Sequence, residues 1–321
     1  MTKAEIRTLS RLGQRGAVFT TALPSIAEKR DDIKLLTADL AILSGMNRFK
    51  ISHPDKLLNV GIAEQNMIGI AAGLAMEGCC VFATTYASFI AVRSLEQVRQ
   101  HLSHLRCNIK LIGSSAGVQA AKSGVSHWAT EDISFIRSLP GLTVLSAADA
   151  LEAVKLTEYA ASTNDPVYLR LSGGLNCPVV YEEDYEFVPG KLKQFRNGSD
   201  TAVIATGLMV SESLKAAEIL ASDGIEISVY NMHTIKPIDH ETLSTIFNKY
   251  PLIVTAEEHQ ITGGIGSAVA EYKSTFRSAP PQIFIGFNDT FSEAGSAAYV
   301  RECCGLTAEH IAERIRNEIR G

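Results

Sequence analysis

The chain has 321 residues, of which 46% are hydrophobic and 20% charged, with 30 basic against 35 acidic side chains and a formal net charge of −5. That composition excludes a disordered or collagen-like chain, and the length makes two domains the expectation. The acidic balance, with no basic run, argues against a nucleic-acid binder, and no apolar run approaches the ~18 residues of a membrane span.

The opening residues MTKAEIRTLS lack the apolar core of a secretory signal, so a cytoplasmic chain is expected. A β-branched run at 33–39 predicts the first strand. Residues 62–78 place Met67, Ile68, Ala71, Leu74 and Ala75 on one face and predict a helix. Further strands are predicted at 81–86, 109–115, 143–147 and 167–171, with helical patterns between them. Strand followed by helix, repeated, predicts a mostly parallel sheet covered by helices. Composition changes at 177–199, where Pro178, Pro189, Gly190 and Gly198 mark a linker with a short strand or hairpin. The alternation then restarts, with strands at 201–206, 225–230, 252–256 and 283–287 and helices at 211–222 and 266–277. Thr307 opens a final amphipathic helix carrying Ile311, Ile315 and Ile319. The expected fold class is α/β, two consecutive domains with mostly parallel sheets flanked by helices: 1–178, a linker at 179–198, and 199–321.

Six cysteines include two adjacent pairs and no CxxC spacing, which favours free thiols in a reducing cytosol over zinc or redox chemistry. The glycines of GGIGSA at 263–268 lack the third position of a dinucleotide fingerprint.

Three segments carry groups suited to chemistry. In Asn59-Val60-Gly61-Ile62-Ala63-Glu64, a glycine turn delivers a carboxylate to the mouth of an apolar helix. Glu64 there either complements the helix dipole or faces a ligand ring. In Thr84-Thr85-Tyr86-Ala87-Ser88-Phe89, a strand ends in hydroxyls and aromatics, at the end of a parallel sheet where ligands bind. Phe89 either fills the core or stacks on a flat ring. In Lys122-Ser123-Gly124-Val125-Ser126-His127-Trp128, a glycine loop presents a histidine, either as a capping residue or as a proton carrier.

Taken with LLTADL (35–40), PVYLRLSGG (166–174), EEHQITGGIGSAV (257–269) and FNDTFSEAG (287–295), these segments resemble the C-terminal half of transketolase and of 1-deoxyxylulose-5-phosphate synthase. The resemblance covers nearly the whole chain. It implies a pyrimidine-binding domain followed by a C-terminal domain, as in the second subunit of a split transketolase.

The resemblance implies the following roles. Glu64 hydrogen-bonds a ring nitrogen of the aminopyrimidine of thiamine diphosphate and favours its imino form, which takes the thiazolium proton. Phe89 packs on that ring, Tyr86 forms a second wall, and Asp39 and Ile62 lie beside the cofactor. His127 matches the histidine of a G-x-T-H motif, with Ser126 replacing threonine, and moves protons near substrate hydroxyls. Thr37, Ser123, Arg170 and Arg11 are the remaining substrate candidates.

The departures bear on substrate choice. Ser123 stands where transketolase has an acidic residue, and the phosphate-gripping arginine aligns with Gly173. Arg170 lies three residues earlier, on the opposite face of an extended strand. Arg11 or Arg15 matches the other phosphate arginine. A bidentate arginine is hard to replace, so a modified or differently charged sugar is expected. The chain also lacks the family's GDG and downstream asparagine; Ser222-Asp223-Gly224 with Asn248 reads as a surface turn. The diphosphate and Mg²⁺ are therefore expected on an N-terminal partner chain, in an assembly with two copies of each chain. The competing readings are the β subunit of a 2-oxoacid dehydrogenase, an enzyme like 1-deoxyxylulose-5-phosphate synthase, and a binding protein without cofactor.

Overall fold

The computed structural model describes residues 1–321. Twelve strands form two sheets. They are β1 (Ile33–Thr37), β2 (Leu57–Asn59), β3 (Cys80–Tyr86), β4 (Ile109–Ser114), β5 (Thr143–Ser146), β6 (Val167–Arg170), β7 (Lys193–Arg196), β8 (Thr201–Ala205), β9 (Ile227–Asn231), β10 (Thr234–Lys236), β11 (Ile253–Gln260) and β12 (Gln282–Phe287). The first sheet has the order β10-β5-β6-β4-β3-β1-β2 and the second β12-β11-β8-β9-β7. All pairings are parallel except β10 with β5 and β7 with β9. Every residue of β4, β8 and β9 is buried, because helices cover both faces of a parallel sheet.

The main helices are α1 (Lys3–Ala17), α2 (Glu64–Met76), α3 (Asp132–Ser138), α4 (Ala150–Ser162), α5 (Met209–Ser222), α6 (His240–Lys249), α7 (Ile265–Lys273) and α8 (Ala308–Arg320). The chain is thus α/β, as the strand–helix alternation predicts. Helix α1 is not evident in the sequence. A capping box between Thr2 and Glu5 starts it, and Gly13, at φ 72°, interrupts it. A Cβ at Gly13 would lie 2.2 Å from the carbonyl oxygen of Gly174, so the close approach of α1 to the end of β6 requires glycine there.

The three-residue strands β2 and β10 are too short to show a period. The 177–199 segment does carry a short strand, β7, paired with β9. Strand β11 extends past the predicted 256 to Gln260, which buries Glu257, Glu258 and His259. Thr307 precedes α8, but its hydroxyl meets His310 Nδ1 at 2.9 Å instead of capping a backbone N–H. Ile311 and Ile315 are buried, whereas Ile319 is partly exposed.

The two sheets share a seam. Strand β10, from the C-terminal half, pairs with β5 of the first sheet. One apolar cluster joins Leu9 and Leu151 to Val203 and Ile311. Beside it, Arg170 donates from Nε to Asp132 Oδ2 of its own half at 2.8 Å, and across it from Nη2 to the Glu258 carbonyl at 2.9 Å. Gln260 N–H donates to the Thr130 carbonyl at 2.7 Å.

Candidate active site

Strands β1 and β2 run parallel, so their connecting loops emerge at one end of the sheet. Asn59 ties those loops together. Its Oδ1 accepts from the backbone of Asp39 at 3.0 Å and of Gly61 at 3.1 Å, and its Nδ2 donates to Asp39 Oδ1 at 3.0 Å. Gly61, at φ 75°, reverses the chain into α2. Glu64 is the first residue of that helix and only 4% exposed. The helix N-terminus favours its negative charge. Arg93 Nη1 donates to Oε1 of Glu64 at 2.9 Å, and no hydrogen bond within the chain reaches Oε2.

The second element follows β3. After Tyr86 the chain enters a wide turn, Phe89–Arg93, closed by Ser94 N–H donating to the Phe89 carbonyl at 3.1 Å. This i to i+5 bond is that of a π-helix, a form found often at functional sites. It sets the Arg93 guanidinium 3.9 Å from the centroid of Phe89. Tyr86, Phe89 and His127 form a triangle of rings. Their centroids stand 5.5 Å apart for Tyr86–Phe89, 5.2 Å for Tyr86–His127 and 5.3 Å for Phe89–His127, all edge to face. His127 comes from a short turn after Gly124, at φ 78°, and Ser126 Oγ lies 3.0 Å from its Nδ1. The structure therefore brings Glu64, Tyr86, Phe89 and His127 to one end of the first sheet. These groups can grip a flat heteroaromatic ring at its edge and face and can hold a proton beside it.

A cavity of about 450 Å³ opens next to the triangle and shares Tyr86 with it. Its walls come from the ends of β3, β4 and β6 and include Ser115, Ser123, Gly173, Arg15 and Lys122. Ser123 thus lies on the wall of a pocket, as a substrate contact must. Three other candidates do not. Arg170 is 1% exposed and donates from Nε to Asp132 and from Nη2 to the Ala129 and Glu258 carbonyls, so it braces the seam and does not line the cavity. Arg11 is exposed and lies outside the cavity, because the break at Gly13 turns Arg15 inward in its place. Thr37 is fully buried, and its hydroxyl accepts from Leu40 N–H at 3.2 Å to close the turn after β1. Asp39 is exposed and pairs with Asn59, and Ile62 is 76% exposed beside Glu64.

Arg15, one of the two arginines matched above, lines the cavity together with Lys122. Arg93 also lies at this sheet end, although neither its place nor that of Lys122 could be read from spacing. A cation four residues after an aromatic usually marks an exposed helix face; here the π-turn folds it back on Phe89. Asp223, the turn residue weighed above as a metal ligand, follows α5 and pairs with Arg316 at 2.5 Å. No group of three His, Cys, Asp or Glu side chains is arranged to hold a metal ion, and no helix is long and apolar enough to cross a membrane.

Comparison with known proteins identifies the family. Residues 14–177 match the transketolase pyrimidine binding domain and residues 190–311 the transketolase C-terminal domain. The 6-deoxy-6-sulfo-D-fructose transketolase subunit SqwH of Clostridium sp. (strain MSTE9) is 38% identical, over 91% of this chain and 90% of its own. One of the subunits of the apulose-4-phosphate transketolase of Phocaeicola vulgatus is 34% identical, over 92% of this chain and 94% of its own. A solved structure of a split gene transketolase, in the form of an inactive beta4 tetramer, superposes with a TM-score of 0.86 at 35% identity, covering 96% of this chain and 98% of that one. With both domain models matched in order and relatives of the same length aligned end to end, the chain belongs to the transketolase family.

Proposed function

We propose that this chain is one subunit of a split, thiamine diphosphate-dependent transketolase that moves a two-carbon ketol unit between a ketose and an aldose. The observation that carries the reading is Glu64: a buried carboxylate with one free oxygen, set beside an aromatic ring at the carboxyl end of a parallel sheet. The residues present fit the pyrimidine half of the cofactor. Oε2 of Glu64 is free to meet a ring nitrogen, Phe89 and Tyr86 offer ring faces and edges, and His127 stands across from them. When bound, thiamine diphosphate supplies the carbon nucleophile and electron sink for carbon–carbon cleavage.

This chain's own part is narrower. Glu64 shares a proton at the pyrimidine nitrogen and, as a charged acceptor, orients the ring. Phe89 fixes the plane of the ring. His127, with Ser126 at its Nδ1, moves a proton at a substrate hydroxyl. Ser123 meets the sugar from the cavity wall.

The diphosphate and Mg²⁺ belong, on this reading, to an N-terminal partner chain, in an assembly of two copies of each chain in the cytoplasm. The surface beside Glu64 supports a partner: Ile62 and Met76 are exposed, and a Cβ at Gly69 or Gly73 of α2 would meet open space. Gly69, Gly73 and Met76 follow one face of the helix and Ile62 lies just before its start, so another backbone can approach closely there. The test is reconstitution. The chain mixed with its N-terminal partner, thiamine diphosphate and Mg²⁺ should transfer ketol units from a ketose to an aldose, whereas the chain alone should not. Turnover by the chain alone would remove the partner from the proposal. Activity on pyruvate with ferricyanide, and none on ketoses, would move the assignment to a 2-oxoacid dehydrogenase.

A further inference from the structure

The segment that carries His127 is a loop hung from two stems. Gly117 and Ala129 close it as an antiparallel bridge, with N–H···O distances of 3.0 and 2.9 Å. Between them lie Ser123 on the cavity wall and His127 in the triangle of rings. Trp128 Nε1 donates to the Ala121 carbonyl at 3.3 Å, which ties the interior of the loop together. What grips the stems comes from the other half of the chain.

Glu258, on β11, is 1% exposed. Its carboxylate lies against the first stem. A Cβ at Gly117, where φ is 63°, would stand 2.5 Å from its Cδ and from its Oε2, so only glycine allows the approach. Oε1 accepts from Arg301 Nη1 at 3.0 Å and faces the Val118 N–H at 3.5 Å, and Oε2 has no hydrogen-bond partner within the chain. The second stem is held through the backbone of the same residue. Arg170 Nη2 donates both to the Glu258 carbonyl, at 2.9 Å, and to the Ala129 carbonyl, at 3.2 Å. Arg301 belongs to the short helix Ala297–Cys303, which packs against the Ala121–Ser123 turn of the loop and places Ala297 on the cavity wall.

A buried ion pair is a poor device for stability, since apolar side chains of the same size often hold as well or better; one attested use is to fix a single arrangement among several. A carboxylate that the ring contacts leave unused, set against the stem of the histidine loop, fits that use. We propose that Glu258, aligned by Arg301, is a positioning residue that holds the 117–129 loop so that His127 faces the Tyr86 and Phe89 rings. The second sheet thereby acts on turnover through the first. The part played by His127 in turnover rests on the transketolase reading; the placement of the loop does not, and the experiment separates the two.

Trp128 is the chain's one tryptophan and is 4% exposed, so its emission reports the loop directly. In Glu258→Ala, well below the melting temperature, acrylamide quenching of that emission should rise about twofold or more, as local opening admits the quencher. In the enzyme reconstituted with its N-terminal partner, kcat should fall about tenfold with the ketose KM nearly unchanged, because a group that acts in the chemical step is misplaced. Glu258→Gln keeps an acceptor for Arg301 and should restore more than half of the loss. In a His127→Ala background, Glu258→Ala should cost less than about twofold, since both changes act through one group. Should Glu258→Ala fail to fold by circular dichroism, Arg301→Gln, at a partly exposed side chain, carries the same measurements. Unchanged quenching in a folded variant, or a kcat loss of the same size with and without His127, overturns the proposal and leaves the transketolase reading standing. Raised quenching in a chain that, once reconstituted, turns over no ketose leaves the positioning of the loop standing and removes the transketolase reading.

Discussion

Arg93 Nη1 lies 2.9 Å from Oε1 of Glu64, and the same guanidinium lies 3.9 Å from the centroid of Phe89. One side chain thus joins the carboxylate and the ring proposed to receive the cofactor's pyrimidine. It engages a single oxygen of Glu64, so Oε2 stays available. Glu64→Gln keeps the shape and loses the shared proton. The reconstituted enzyme should lose roughly 10²–10⁴ in kcat, the usual worth of a positioned acid–base group, with an unchanged melting curve. A loss below about threefold would remove Glu64 from the chemistry.

Arg93 is about half exposed, so its replacement should spare the fold. Arg93→Gln removes both the charge on Glu64 and the stack on Phe89. Turnover should fall about tenfold, measured at saturating cofactor. Arg93→Lys should restore less than half, because an ammonium does not combine a directed hydrogen bond with a planar stack.

The seam depends on a buried ion pair. Arg170 and Asp132 are both almost fully enclosed, and Tyr168 also donates to Asp132 Oδ2, at 2.7 Å. Removing one partner strands a charge. Arg170→Met should cost about 3–5 kcal/mol in denaturant unfolding, and Arg170→Met with Asp132→Leu should cost clearly less than the single change. Equal losses in both variants would mean that the packing, not the charge pair, holds the seam.

Gln14 is fully buried and makes three hydrogen bonds to the backbone. Gln14→Ala should lower stability by about 2–3 kcal/mol, since two buried N–H groups lose their acceptor.

Stability should vary with pH in two opposed limbs. Burial pushes His259 and His233 down to about 4 from 6.5. Their contribution is complete above 6.5 and is lost as pH falls through 4. At pH 5 the loss is about 2 kcal/mol for each. His259 Nδ1 faces the Gln260 carbonyl and its Nε2 faces the Ser134 N–H, so only the neutral ring suits both. Burial also raises Glu257 to about 7 from 4.5. Its contribution is complete below 4.5 and is lost as pH rises through 7. His259→Gln should flatten unfolding free energy between pH 6.5 and 4, and Glu257→Gln between pH 4.5 and 7, in urea titrations.

The strands between 33 and 171 were legible because each is a short apolar run ended by small or polar residues, and a sheet covered on both faces needs such runs. Glu64, Phe89 and His127 were legible as candidates because a carboxylate opening a helix, an aromatic ending a strand and a glycine-borne histidine stand in a recognisable order; their roles remain the proposal above. Helix α1 was not, since Gly13 interrupts its period. Arg170 was misread for a similar reason: strand geometry gives the face on which a side chain leaves, but not what packs there.

The sequence by itself determined the α/β alternation and which side chains were candidates to bind a ring or move a proton, because these follow from local periodicity and residue chemistry. Only the tertiary structure decided that Arg93 joins Glu64 to Phe89, that Arg170 is spent on the seam, and that Arg15 turns into the cavity. Those outcomes depend on a π-turn, on packing between two sheets and on a helix broken against Gly174, all set by contacts between residues far apart in the chain.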